Sequence, residues 1–209
     1  MVEFNYKNNK PEGIVKGYDE NGNLTNKWKY KDGKLEGVSK VYYESGKLKG
    51  EKNYKNNKKE GIAKTYYESG KLETDGNFKN DRLEGTVKEY YESGKIKVLW
   101  SYINGKLEGI SKKYYENGAL RGTWNYKGNK REGICKLYYE SGELWGEINF
   151  KDNKMEGIVK EYYKNGAHKN IDTYKNGKLI KRKTYDERGK LKSEPDSPIE
   201  EKAKNGALR

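Results

Sequence analysis

The sequence predicts an all-β fold: an elongated, curved, open antiparallel β-meander of about seven to eight hairpin repeats, each 24 residues long. Three observations predict it. A fixed period runs along the chain, two turn signals recur in each period, and aromatic residues fill the segments between them. Glu-Gly pairs begin at Glu12, Glu36, Glu60, Glu84, Glu108, Glu132 and Glu156. An aromatic recurs at Tyr6, Tyr30, Tyr54, Phe78, Tyr102, Tyr126, Phe150 and Tyr174. Self-similarity at such a period marks a repeat architecture whose units touch only their neighbours. No segment of the repeat body has helical periodicity.

One turn signal is Glu-Ser-Gly or Glu-Asn-Gly, as at Glu44-Ser45-Gly46. The other is a Lys-flanked pair, as at Asp32-Gly33, Asn56-Asn57 and Asn176-Gly177. Asn-Gly and Asp-Gly between strand-like runs signal tight hairpins, because both central residues of a type I′ turn need positive φ. If both turns hold two residues, strands of roughly 11 and 9 residues complete the period. The register then follows. Around Ser45-Gly46, Tyr43 faces Leu48, Val41 faces Gly50, Ser39 faces Lys52 and Gly37 faces Tyr54. Around Asp32-Gly33, Leu35 faces Tyr30 and Gly37 faces Trp28. One face therefore carries the Leu series, the second Tyr of each Tyr-Tyr pair, the hairpin aromatics and the glycines. The other carries Ile14 or Val38, the Lys16 and Tyr18 series, and polar residues such as Asn53, Asn77 and Asn125. The even period keeps these faces constant, and a one-residue slip would invert every side chain. Glycines opposite aromatics let the sheet bend toward the Leu/Tyr face, which is expected to be the concave, packed one. Equivalent strands of adjacent units should lie ~9–10 Å apart.

Composition narrows the function. Leu, Ile, Val and Phe make up only about a sixth of the chain, 37% of residues are charged, and the net charge is +13. Such a chain lacks the apolar surface for a thick core. The 20 Tyr and 4 Trp, with only 3 Pro, argue against simple disorder. Only 6 of the 45 basic residues are Arg. Base-specific recognition favours Arg, so no sequence-specific nucleic acid is expected, and the charge points to non-specific attraction to anionic surfaces. One Cys excludes an internal disulfide. No apolar run approaches the ~18 residues of a transmembrane segment, and the N-terminal residues do not read as a secretory signal.

The spacing Gly-x-x-Lys-x-Tyr-Tyr-Glu-Ser-Gly-Lys-Leu-x-Gly, as in Gly37 to Gly50, resembles the MORN repeat in its bacterial variant form. The resemblance covers about residues 1–191, read as one repeat domain. Bacterial proteins of this pattern are often labelled YwqK-type antitoxin components. The resemblance implies an open curved sheet, a scaffold or protein-binding role, and association with lipid. Tyr18-Asp19 in place of Tyr-Tyr, the loss of Glu-Gly after Leu179, and His168 in place of Leu weaken the match toward the ends.

No catalytic, metal or cofactor site is expected. Cys135 and His168, the two residues that could form a nucleophile pair, lie more than one repeat apart. The Glu ladder from Glu12 to Glu156 is expected to satisfy turn amides or pair with lysines. The lysines at Lys16, Lys40, Lys64, Lys88, Lys112, Lys136 and Lys160 form either a solvated, cross-strand-paired row or a salt-sensitive site for anionic lipid or another polyanion. Departures from the consensus mark candidates for partner binding. Trp28, Trp100 and Trp124 share a register on the packed face, as core or as an aromatic groove. Trp145 and Leu99 fall at polar positions on the opposite face, where an exposed Trp would anchor a partner. Leu137 is also off-consensus. The expected function is therefore a non-enzymatic scaffold that binds a partner protein through an extended β-surface, with polyanion binding as the alternative. After Leu191 the composition changes. Asp196-Ser197-Pro198 with Glu200 has the signature of a helix start, and Asn205-Gly206 that of a stop, so 192–209 reads as a polar tail or a short capping helix over 197–204.

Overall fold

A computed structural model describes residues 1–194, so the expected helix over 197–204 lies outside the described residues. The fold is the expected one: all-β, open and antiparallel, built of consecutive hairpins. The chain divides into two compact units, Met1–Lys106 and the part from Leu107 onward. In the first, the principal strands are Gly13–Tyr18, Leu24–Lys31, Gly37–Tyr42, Leu48–Lys55, Lys58–Tyr66, Leu72–Lys79, Gly85–Tyr90 and Ile96–Ile103. In the second they are Gly109–Tyr114, Leu120–Lys127, Gly133–Tyr138, Leu144–Lys151, Lys154–Tyr162, His168–Lys175 and Lys178–Tyr185.

The Lys-flanked turns form as expected. Asn56 and Asn57 have φ of 49° and 67°, and Lys55 pairs with Lys58. The other turn is a correction. Tyr43 N–H donates to the Lys47 carbonyl and Gly46 N–H to the Tyr43 carbonyl, both at 2.9 Å, and only Gly46 has positive φ. That is a three-residue loop, a type I turn closed by a left-handed glycine. Its cost is a register shift between Val41 and Tyr42, so Tyr42 and not Tyr43 faces Leu48. A second correction concerns Gly37. Pairing runs through Tyr30 opposite Leu35 and resumes at Lys27 opposite Lys40 and Asn26 opposite Val41. The Glu-Gly pair thus adds two residues to its strand as a bulge, and Gly37 does not face Trp28. That even shift leaves the side-chain faces unchanged, whereas the one-residue shift at Val41/Tyr42 puts Leu48 on the same face as Tyr42, so the Leu and Tyr18 series do not lie on opposite faces as expected.

The packed face has a thin core. Val15, Ala63, Cys135 and Val159 occupy one register near its centre, with Val98 and Phe150 beside them. Hydrogen bonds between successive repeats supply the cohesion that apolar burial lacks. All seven ladder glutamates accept from a turn amide of the following repeat, from Asp32 N–H to Glu12 at 2.8 Å through Asn176 N–H to Glu156 at 2.7 Å. Tyr43, Tyr67, Tyr115, Tyr139 and Tyr163 each donate a hydroxyl hydrogen bond to a carbonyl in the next repeat. Asn57, Asp81, Asn129 and Asn153 accept from strand amides of the repeat before.

One consequence is directly measurable. Glu60→Ala removes the acceptor of the Asn80 amide and should lower stability by about 1–2 kcal/mol. Glu60→Gln, which keeps a carbonyl acceptor, should recover much of that in a urea titration.

Candidate functional site

In the second unit, Trp124, Leu137 and Trp145 line one cavity of about 400 Å³, with Tyr115, Arg121, Tyr138 and Tyr139 completing its wall. Trp124 projects from Leu120–Lys127 opposite Ser111, and Leu137 from Gly133–Tyr138 opposite both Gly122 and Gly146. Gly122 makes room for both. A Cβ there would stand 2.8 Å from the Trp124 ring and 2.8 Å from a Leu137 methyl. Trp145 was expected on the opposite face. The register shift between Leu137 and Tyr138 occurs beside it and re-aims this end of the hairpin, so that Trp145 joins the cavity.

The wall is held in place by hydrogen bonds. The Tyr115 hydroxyl donates to the Tyr138 carbonyl and the Tyr139 hydroxyl to the Tyr162 carbonyl, each at 2.8 Å. Burial first, and then the charges of Glu161 and Glu143, push the Tyr139 phenol above its ordinary range. The Arg121 guanidinium lies 5.6 Å from the Tyr115 ring centre, and Lys113 Nζ 5.5 Å from that of Trp124. An apolar, aromatic concavity rimmed by cations can take an apolar side chain and orient an acidic neighbour beside it.

The other candidates lie apart from this cavity. Trp28 faces Val15, with its ring over Gly17, and lines a separate cavity in the first unit. Trp100 faces Val87, and its indole N–H donates to Glu89 at 2.6 Å. Leu99 faces Lys88 on the lysine face and is half-buried.

The lysine ladder is interleaved with carboxylates. Lys16 meets Glu3 at 3.2 Å, Lys136 meets Glu147 at 3.4 Å and Lys40 meets Glu51 at 4.0 Å. Lys64 stands opposite Glu51 and Asp75, Lys88 opposite Asp75, Lys160 opposite Glu147, and Lys112 opposite Thr123. Tyr18, Tyr66, Tyr90 and Tyr162 donate to the same acids. Beside this ladder runs a row of exposed β-branched residues: Ile14, Val38 and Ile62 in the first unit, and Ile110, Ile134 and Ile158 in the second.

Cys135 is 2% exposed, and burial pushes its thiol up to about 11. At neutral pH, iodoacetamide should leave the folded protein unlabelled and modify Cys135 only after unfolding, as read by mass spectrometry. His168 stands opposite Tyr162 in a different hairpin and stacks on its ring at 4.9 Å.

Seven segments match the family model described as MORN repeat variant: residues 11–34, 35–56, 59–80, 83–104, 107–127, 131–152 and 155–176. No curated protein matches the chain in sequence. Among solved structures, a chain in the crystal structure of TcdB2-TccC3-TEV is similar over 94% of this chain, at 13% identity and a TM-score of 0.21. The present chain spans 11% of that chain's length.

Proposed function

The chain belongs to the MORN repeat variant family, and from that premise we propose that it is a non-enzymatic scaffold that binds a partner protein through its sheet surface. The observation that carries this reading is the aromatic cavity of the second unit. Two Trp, three Tyr, a Leu and an Arg converge there. This is the composition of binding hot spots, in which a few aromatic and Arg residues supply most of the affinity. The position of Trp145 is taken by Lys49, Glu73, Lys97, Arg121 and Lys169 elsewhere, so the repeat itself does not require Trp there. An antitoxin-like or host-facing role belongs to this proposal, the bound protein being a toxin or a host factor.

The test is affinity capture followed by titration of the captured partner. Trp145→Lys installs the residue used by other repeats and should fold normally. It should raise the partner's Kd by about ten-fold or more. Equal capture and equal affinity for both proteins would refute the reading.

A second reading rests on a separate observation. The exposed Ile and Val rows lie beside the lysine ladder, so apolar side chains and cations share one face within each unit. That combination suits an anionic lipid surface. Co-sedimentation with vesicles containing anionic lipid should then fall steeply with salt, and further when Ile134 and Ile158 are changed to Ser. The carboxylates between the lysines reduce the field, so this reading stands second.

A further inference from the structure

We propose that the cavity of the first unit, between Trp28 and Thr65, binds a small aromatic carboxylic acid, with the carboxylate on Lys52 and Ser39 and the ring against Trp28. The cavity holds about 210 Å³, below the ~300–1,000 Å³ of sites for drug-sized ligands. It is thus sized for a compact ligand.

Lys52 is the departure that creates the site. Its register on the packed face holds Trp28, Trp100, Trp124 and Ile148 in other repeats. Here a cation stands directly opposite Ser39 on one side and Ala63 on the other. The Lys52 ammonium makes no hydrogen bond or ion pair among the described residues. Ser39 is 7% exposed, and its Oγ has no hydrogen-bond partner. A buried hydroxyl left unpaired costs free energy, and so does a half-buried cation without a counter-charge. Residues directly opposite on paired strands have Cβ atoms about 5 Å apart. One carboxylate can therefore accept from both donors and relieve both costs.

The surroundings select the rest of the ligand. Trp28 and Tyr54 offer ring faces, and Gly50 presents no side chain to fill the space. The Thr65 hydroxyl is already engaged with Glu73 at 2.9 Å and Thr74 at 2.7 Å. Glu51 also lines the cavity, but its carboxylate accepts from Tyr66 at 3.0 Å and lies 4.0 Å from Lys40. Lys40 and Lys49 also line the cavity, but Lys40 lies 4.0 Å from Glu51 and Lys49 sits over the Tyr43 ring at 5.2 Å. The two donors left without a partner, Lys52 and Ser39, match a monoanion.

The second unit holds an internal control. Ser111 is 1% exposed and its Oγ is likewise unpartnered, but it faces Trp124, which brings no cation. An unpaired Ser alone therefore does not define the site.

The experiment is a titration of indole-3-acetate into the 209-residue chain, followed by 15N-resolved NMR. Saturable shifts confined to the Trp28 indole and the Ser39 and Lys52 amides are expected. Indole-3-acetamide, which has the same shape without the charge, should bind at least about ten-fold more weakly. Lys52→Trp, the residue this register carries elsewhere, should fold and lose binding, and Lys52→Met serves if it does not fold. Ser39→Ala should weaken binding several-fold. Equal affinity for acid and amide would overturn the proposal, as would binding retained by Lys52→Met or shifts spread over the lysine rows that vanish with salt. A peptide ending in tryptophan carries the same ring and carboxylate. Tighter binding of that peptide than of the free acid would overturn the assignment to a free acid.

Discussion

Arg182→Ala should lower the stability of the second unit by about 2–3 kcal/mol, read from chemical denaturation. Asp172 is 2% exposed and sits in the register that carries Trp or Ile in four other repeats. Arg182, directly opposite it on the next strand, grips the carboxylate with two hydrogen bonds, Nε to Oδ1 at 2.8 Å and Nη2 to Oδ2 at 2.6 Å. The hydrogen bonds to Asp172 hold the guanidinium above its ordinary range, against the opposing effect of burial. Removing one member of a fully buried pair costs ~3–5 kcal/mol because the other charge is stranded. The Arg182 side chain is 43% exposed, so solvent reduces that figure. The double variant Asp172→Ile with Arg182→Leu removes both charges and restores an apolar residue at position 172. It should return to within about 1 kcal/mol of the parent. A double variant as unstable as Arg182→Ala would show that the strand needs the ion pair itself.

Gly122→Ala should cost about 1–3 kcal/mol, whereas Gly146→Ala, at the same place in the next repeat, should cost under about 1 kcal/mol. Neither glycine has positive φ, so the difference is one of space. A Cβ at Gly122 would meet Leu137 and Trp124 at 2.8 Å and the Lys136 carbonyl oxygen at 2.9 Å. The backbone oxygen cannot step aside, and the two side chains are walls of the aromatic cavity. At Gly146 the sole neighbour within 4 Å is the Lys160 carbonyl oxygen at 3.2 Å, which a small backbone shift relieves. Trp fluorescence should report the same ordering, because only the Gly122 variant displaces Trp124. Equal costs at both sites would mean that the packing around Trp124 is looser than its contacts indicate.

The Glu ladder was legible from the sequence because seven identical positions at one period demand one repeated job, and turn amides were the groups in need of acceptors. The Tyr hydrogen bonds to the next repeat were not. A Tyr-Tyr pair signals a strand end, but which hydroxyl reaches which carbonyl depends on the bulge beside it. The aromatic cavity was half legible. Trp124, Leu137 and Trp145 stood out as departures, but strict alternation put Trp145 on the wrong face. The Lys52 cavity left its signal in the same comparison, as a cation in a Trp register. Only the unpartnered Ser39 hydroxyl opposite it turns that departure into a site.

The sequence by itself determined the repeat, its length, the all-β class and the constancy of the two faces. Each depends on periodicity and local turn chemistry, which act between near neighbours in the chain. Tertiary structure decided the bulges at Glu36-Gly37 and Val41-Tyr42, the partners of the side-chain hydrogen bonds, and which off-consensus residues share a cavity. These depend on one- and two-residue register shifts where turns and bulges compete for backbone hydrogen bonds. No period in the sequence records such shifts, and each one-residue shift re-aims every side chain at its end of the hairpin.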